Sequence, residues 1–352
     1  MANELPEDLV TQILLWLPVV SLLRFKCVCK SWYALITHQN FVRKHLLHNK
    51  NSNTHLLLKT SNKTMDDYVV SRISYEGLQI TPLTPLTQPV HPQYFRNGEE
   101  FVEFSEVFSI SVVGSCNGLV CIHAYDKLKV VIWNPTTRET KVVPESNLPI
   151  FAPAGYCTHI QGMGFGFDAK TNDYKIINFC FIVEHVPMTY ITGMGSWLAY
   201  VDYVNQRDLF VLSFDMSNEV FLKTPLPDNV NGQALLVLNE SIAMVAFKPV
   251  DDNWREIGFD IWLLLKVGVK DSWNRLFTIG PSIARIHQPL GFWKNDTMFL
   301  TKIDSGQLFL YDPSTQQITD LQIHGHSDSK EMQLVTYMET LVSVKGGNEF
   351  EE

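Results

Sequence analysis

The spacing of apolar residues changes once along this chain of 352 residues. Up to about residue 48, apolar residues recur every three or four positions, as at Leu9, Ile13 and Leu17, which is the spacing of one face of an α-helix. From Val112 onward, short apolar runs alternate with turn residues, which is typical of β-strands. The pattern therefore predicts a small all-α domain followed by a larger all-β domain.

Three to four short helices are predicted in the N-terminal segment. Pro6 suits a first helical position, and Pro18 ends the first helix because proline has no N–H to donate. Ser21 is predicted to cap a second helix over residues 22–27, and a third helix runs from about residue 30 to 36. So small a helical unit has more apolar surface than it can bury alone, which marks a partner-binding face.

The same segment carries a family resemblance. Its motif runs from Leu5-Pro6-x-Asp8-Leu9 to Trp32-x-x-Leu35-Ile36 and resembles an F-box. The resemblance implies docking to a Skp-type adaptor and, through the adaptor, to the cullin and RING subunits of a ubiquitin ligase. It assigns adaptor binding to Leu5, Pro6, Leu9, Ile13, Leu17, Pro18, Leu22, Phe25, Val28 and Trp32. The alternative is that these helices only cap the following domain.

Composition indicates the compartment in which the protein is expected. The chain is 45% apolar and 18% charged, and no stretch reaches the ~20 uninterrupted apolar residues of a membrane helix. Without a secretory signal, the six cysteines are interpreted as reduced thiols. We therefore expect a cytoplasmic protein, with the nucleus as the alternative location. No cysteine or histidine set has metal-ligand spacing, and no cofactor or metal is expected.

Residues 1–48 carry a net charge of +2, and the remainder carries −11 of the total of −9. This balance is opposite to that of a nucleic-acid binder, and it suits a basic protein partner.

The C-terminal part repeats one local pattern, in which a strand leads through a turn rich in Asp, Asn, Ser and Thr to a returning strand. The pattern is clear at Asn134, Asp215 and Asp312 and looser at Asp168 and Asp260. These positions are 34 to 52 residues apart, near the ~40–50 residues of a propeller blade. Because the turn is expected at different distances after each position, the five are not taken to share one register. The prediction is a kelch-like β-propeller, with a β-sandwich as the alternative.

The predicted fold class is thus α+β and multidomain. The expected boundaries are an F-box domain over residues 1–48, a connecting segment with the first strands and a proline-rich loop over 49–111, an all-β domain over 112–345, and an acidic tail over 346–352.

Several stretches of the β region resemble the plant F-box-associated interaction domain. They are Ser115–Cys121, Trp133–Arg138, Gly164–Asp168, Asn172–Lys175 and Phe259–Trp262. Three further stretches are similar to the S-locus F-box proteins of pollen, namely Val269–Trp273, Pro289–Asn295 and Asp320–Gly325. The resemblance implies a non-catalytic adaptor subunit whose β domain holds a protein substrate, here an S-ribonuclease in pollen self-incompatibility.

One departure from the family pattern lies after Ile177, where roughly one blade of ~30–45 residues is shortened or absent. Residues 184–203 are therefore either an exposed segment or ordinary β core. In the first case, the aromatic side chains of Tyr190, Trp197, Tyr200 and Tyr203 are candidate substrate-binding residues.

Catalytic motifs are not found in the sequence. Gly162–Gly166 is rich in glycine, but it lies between predicted strands without a following helix, which argues against phosphate binding. An enzyme is not predicted. Two alternatives stay open: a plant F-box adaptor for an unrelated substrate, and a β-propeller enzyme or sugar-binding protein whose N-terminal helices are structural.

Overall fold

The computed structural model describes residues 6–49, 54–61, 68–74, 78–83, 96–97, 100–101, 110–124, 129–144, 157–183, 195–202, 207–239, 241–249, 257–284, 287–302, 305–324 and 332–345. The chain divides into two compact units. The first comprises Met1–Lys59, Asp67–Glu145 and Val335–Glu352, and the second comprises Thr60–Asp66 and Ser146–Leu334.

Four helices form the N-terminal domain: α1 (Glu7–Leu15), α2 (Val19–Phe25), α3 (Lys30–Thr37) and α4 (Gln39–Asn49). A proline precedes each of the first two helices, with Pro6 and Pro18 at the N-cap positions. The predicted cap at Ser21 is wrong. The Pro18 carbonyl already accepts the backbone N–H groups of Ser21 and Leu22, so α2 begins two residues before Ser21.

The remainder is almost entirely β-structure, and its described residues include one short α-helix, α5 (Pro281–Ala284), and two short 3-10 helices, Lys270–Ser272 and Lys294–Asp296. The strands are β1 (Thr54–Ser61), β2 (Tyr68–Ile73), β3 (Ile80–Pro82), β4 (Arg96–Asn97), β5 (Glu100–Phe101), β6 (Ile110–Cys116), β7 (Leu119–Ala124), β8 (Lys129–Asn134), β9 (Glu139–Val143), β10 (Cys157–Asp168), β11 (Asp173–Val183), β12 (Ser196–Asp202), β13 (Arg207–Asp215), β14 (Val220–Pro225), β15 (Asn231–Leu238), β16 (Ser241–Pro249), β17 (Ile257–Leu264), β18 (Trp273–Ile279), β19 (His287–Phe292), β20 (Met298–Lys302), β21 (Gln307–Asp312), β22 (Gln317–His324) and β23 (Gln333–Met338).

Most strands form separate four-stranded sheets in which neighbours in sequence are neighbours in the sheet. The orders are β6-β7-β8-β9, β15-β16-β17-β18 and β19-β20-β21-β22. In the fourth such sheet, β23-β1-β2-β3, the last described strand joins the first three, as the closing strand of a β-propeller does. The fold class is therefore confirmed as four N-terminal helices followed by an all-β region of β-propeller type, and the sandwich alternative is set aside.

In chain order the sheets occupy five blade positions, and the third position holds two smaller sheets. These are β10-β11 and β12-β13-β14, which fall where the sequence predicts a shortened region. They meet where the Trp197 ring lies against Gly164, at which a Cβ atom would come within 2.8 Å of the ring. A glycine at this position of β10 is therefore needed for close packing, which accounts for part of the glycine-rich stretch.

Four hairpins share one turn, which corrects the expectation that they are out of register. In each hairpin, Asn134, Asp168, Asp215 or Asp312 ends a strand, and the fifth residue after it begins the returning strand. The side-chain oxygen accepts the backbone N–H two residues later, at 2.8–2.9 Å in all four. The fourth residue after it has a positive φ of 55–62° in every case. Asp260 differs because it lies within β17, where its carboxylate accepts the Thr278 hydroxyl.

Candidate functional site on the N-terminal helices

The four helices enclose a small core of their own. Leu14, Val19, Leu22, Ile36 and Phe41 are at most 2% exposed, and Leu341 from the C-terminal segment completes the cluster. Leu22, which the resemblance assigns to adaptor binding, is therefore a core residue and does not lie on the surface. It lies in the middle of α2 with its side chain fully buried, and its contact with an adaptor stays a prediction.

The other predicted adaptor-binding residues are distributed between surface and core. Leu9, Ile13 and Val28 are 43%, 49% and 61% exposed. Pro6 and Pro18 are also exposed. The remaining three described members are partly buried and line the domain core, namely Leu17, Phe25 and Trp32. Leu5 lies outside the described residues.

Three exposed apolar residues extend the surface beyond the prediction. They are Trp16 at 74%, Val20 at 42% and Leu47 at 64% exposure. Trp16 follows Ile13 by three residues, so it falls on the same face of the helical segment. Its ring also meets His48 edge-on, with centroids 4.1 Å apart, which holds the indole against the end of α4. The spacing of three residues between Ile13 and Trp16 already indicates in the sequence that Trp16 lies on this face.

The C-terminal segment joins the helices to the first sheets of the β region. Asn134, which is fully buried at the end of β8, donates through Nδ2 to the carbonyls of Thr340 and Val342 at 3.2 and 2.7 Å. Between these two residues, Leu341 enters the helical core. Farther along, the Val344 N–H donates to the Glu139 carboxylate at 3.1 Å. One short segment thus contacts both the helical domain and the sheet β6–β9.

Of the four aromatic residues predicted to bind substrate, the structure describes the side chain of Trp197 alone. Trp197 is 2% exposed and donates through Nε1 to the Met163 carbonyl at 3.4 Å, so it is a core residue of β12. This corrects the interpretation of Trp197 as a recognition residue, because the facing glycine provides space for its ring. Tyr200 lies in β12 with its side chain outside the described set, and Tyr190 and Tyr203 lie outside the described residues.

Neither a metal centre nor a membrane span is found in the described residues. Within these ranges, no three His, Cys, Asp or Glu side chains are grouped as metal ligands. No described helix is long and apolar enough to cross a bilayer.

The helical core, its exposed apolar face and the sheets that follow define a class of protein in which a small helical domain precedes a β-propeller-type region in the sequence. Comparison with known families finds a match in the helical domain and another in the first part of the β region. Residues 3–44 match the F-box domain, and residues 90–192 match the F-box associated beta propeller domain. These two segments are thus similar to the two domains.

Curated relatives share this organisation over nearly their whole length. An F-box/kelch-repeat protein of Arabidopsis thaliana is 26% identical over 97% of this chain and 96% of its own. A putative F-box protein of the same plant is 26% identical over 89% of this chain and 83% of its own. The chain is thus similar to plant F-box proteins across both domains.

Proposed function

We propose that this protein is the substrate-recognition subunit of an SCF-type cullin–RING ubiquitin ligase, with a Skp-type adaptor bound to its helices and a protein substrate bound to its β region. The observation that carries the proposal is the exposed apolar face of a domain that already has a complete core. Four of its apolar side chains are 43–74% exposed, namely those of Leu9, Ile13, Trp16 and Val28. Burial in a partner interface would stabilise the complex by about 1 kcal/mol or more for each of them.

Such a subunit performs no bond chemistry of its own. It holds a substrate near the ubiquitin-loaded enzyme and so raises the effective concentration of the substrate lysines. This role places the protein in the cytoplasm, with the nucleus as the alternative, beside the cullin and RING subunits that the adaptor recruits.

Co-expression of the full chain with a Skp-type adaptor tests the docking surface. Ile13→Glu and Val28→Glu each place a charge in the proposed apolar interface, and we expect at least a tenfold loss of adaptor capture. Leu276→Glu on β18 is the matched control, because Leu276 is also an exposed apolar residue, at 36%, but lies outside the helices. Capture of both helix variants at the wild-type level, with their circular dichroism unchanged, would contradict the proposal.

The proposal extends to the substrate, for which we infer a basic S-ribonuclease in pollen self-incompatibility. It is supported by the S-locus-like stretches, which include Val269–Trp273 and Pro289–Asn295, and by the net charge of −11 on the chain after residue 48. The test combines transcript measurement in pollen and leaf with pull-down of style ribonucleases by the full chain. Expression throughout the plant, or no ribonuclease retained, would leave the adaptor role with an unrelated substrate.

A further inference from the structure

An open cavity of about 370 Å³ lies between the sheet β12-β13-β14 and the strands β15 to β17. Its walls are mostly apolar. Phe214 and Leu222 come from the first sheet, Leu235 and Leu264 come from the second, and Leu265 directly follows β17. The volume falls in the range of ligand sites, about 300–1,000 Å³, and can take one or two long side chains. We refer to it as the Asp215 cavity.

Asp215 is the only ionisable side chain among the residues that line this cavity in the described part of the chain. Its Oδ1 accepts the backbone N–H groups of Ser217 and Asn218 at 2.9 and 3.0 Å, and its Oδ2 accepts the Asn218 side-chain amide at 2.6 Å. These hydrogen bonds lower the pKa of the Asp215 carboxyl and keep it ionised. A carboxylate offers about four lone-pair sites, so at least one remains for a ligand.

The rim of the cavity continues the apolar surface outward. Leu222 on β14 and Leu265 both line the cavity, and they are 39% and 67% exposed. A mostly apolar cavity with one carboxylate among its lining residues is complementary to a chain segment that carries both apolar side chains and one cation.

We propose that the Asp215 cavity binds a long cationic side chain, arginine or lysine, presented by an extended segment of the protein partner. The methylene stem would lie along the apolar walls and the cationic head would reach the carboxylate. The net charge of −11 outside the first 48 residues also favours the approach of a basic partner. The inference rests on the proposed function, since it takes the β region to hold a protein substrate.

Fluorescence anisotropy on the full chain with its adaptor tests the cavity directly. The probes are the fluorescein-labelled peptide Ala-Thr-Val-Arg-Val-Thr-Ala and the same peptide with norleucine or glutamate in place of arginine. We expect the arginine peptide to bind roughly tenfold more tightly than the norleucine peptide. Asp215→Asn should abolish that preference, because the amide keeps the turn but loses the charge. Leu265→Glu should weaken binding of both the arginine and norleucine peptides.

Asp312→Asn is the matched control, since Asp312 forms the same turn away from the cavity and should leave peptide binding unchanged. Equal binding of the arginine and norleucine peptides, or an unchanged preference in Asp215→Asn, would overturn the inference. A concentration-dependent dimer of the wild type that Leu265→Glu abolishes would assign the cavity to a second copy and would also overturn it. Adaptor capture by the same variants reports on the proposed function separately, because none of these substitutions touches the helices.

Discussion

Exchanging Asn134 for aspartate tests how the C-terminal segment is held. Three of the four equivalent hairpins have aspartate at this turn position, and the turn itself needs only a side-chain acceptor. Asn134 differs because its Nδ2 also donates to two backbone carbonyls, those of Thr340 and Val342. Asn134→Asp keeps the turn acceptor, removes both donors and places a carboxylate beside two carbonyl oxygens.

The cost follows from the hydrogen bonds that are lost. Each buried carbonyl left without its donor costs about 1 kcal/mol, and the fully buried carboxylate adds at least as much again. We therefore expect Asn134→Asp to lower the free energy of unfolding by about 3 kcal/mol, which for a chain of 352 residues corresponds to a fall of roughly 4 °C in the Tm.

Urea denaturation and thermal melting followed by circular dichroism measure this effect. The reverse exchange in the equivalent turn, Asp312→Asn, is the control and should change the unfolding free energy by less than about 0.5 kcal/mol, since both side chains cap the turn and Asp312 is solvent-accessible. Similar small effects from the two exchanges would refute the reasoning that the donors of Asn134 hold the segment.

Other substitutions give further predictions. Leu341→Ala should cost about 2–4 kcal/mol in urea denaturation, because it leaves a cavity in the core of the helical domain. Gly164→Ala should cost about 1–3 kcal/mol, because its methyl would meet the β12 indole, whereas Gly114→Ala, with open space around it, should cost far less. Hydrogen bonds from Lys175 and neighbouring groups hold the pKa of Asp168 well below its usual range, so stability should be present above pH ~4 and fall as the pH drops below that value. Melting curves from pH 6 to 3 should show a smaller acid loss in Lys175→Met, and an equal loss would contradict this assignment.

Local features of this chain were predictable because their causes lie within a few residues. Pro6 marks the start of α1 and Pro18 lies just beyond its end, and the Asx turns follow the strands that end at Asn134, Asp215 and Asp312. The common register of the turns was also present in the sequence. It is recognised only when the hairpins are aligned on the residue with positive φ, which lies four positions after the Asn or Asp. Alignment on the residue types typical of turns does not show it.

Other features depend on partners distant in sequence, which apolar spacing cannot identify. Nothing near Trp197 indicates that a glycine 33 positions earlier makes room for its ring, so the sequence alone leaves open whether this tryptophan is a recognition residue or a core residue. Leu22 and Ile13 are both apolar and at helical spacing, yet one is buried in the domain and the other is exposed. The pairing of β23 with β1 joins segments about 280 residues apart and has no local signal.

The C-terminal segment fixes the N-terminal helices to the sheet β6–β9, which the sequence motif alone does not indicate. If the helices were a separate docking domain on a flexible link, the adaptor and the first sheets of the β region would reorient freely, and the gain in effective concentration would fall with the length of the link. Instead, Leu341 lies in the helical core while its neighbours Thr340 and Val342 are bound to Asn134 at the end of β8. The docking face and the sheet β6–β9 are therefore parts of one folded unit, and deletion of the first 48 residues should expose Leu341 and destabilise that unit. Such fixed geometry is what an adaptor that acts by proximity requires.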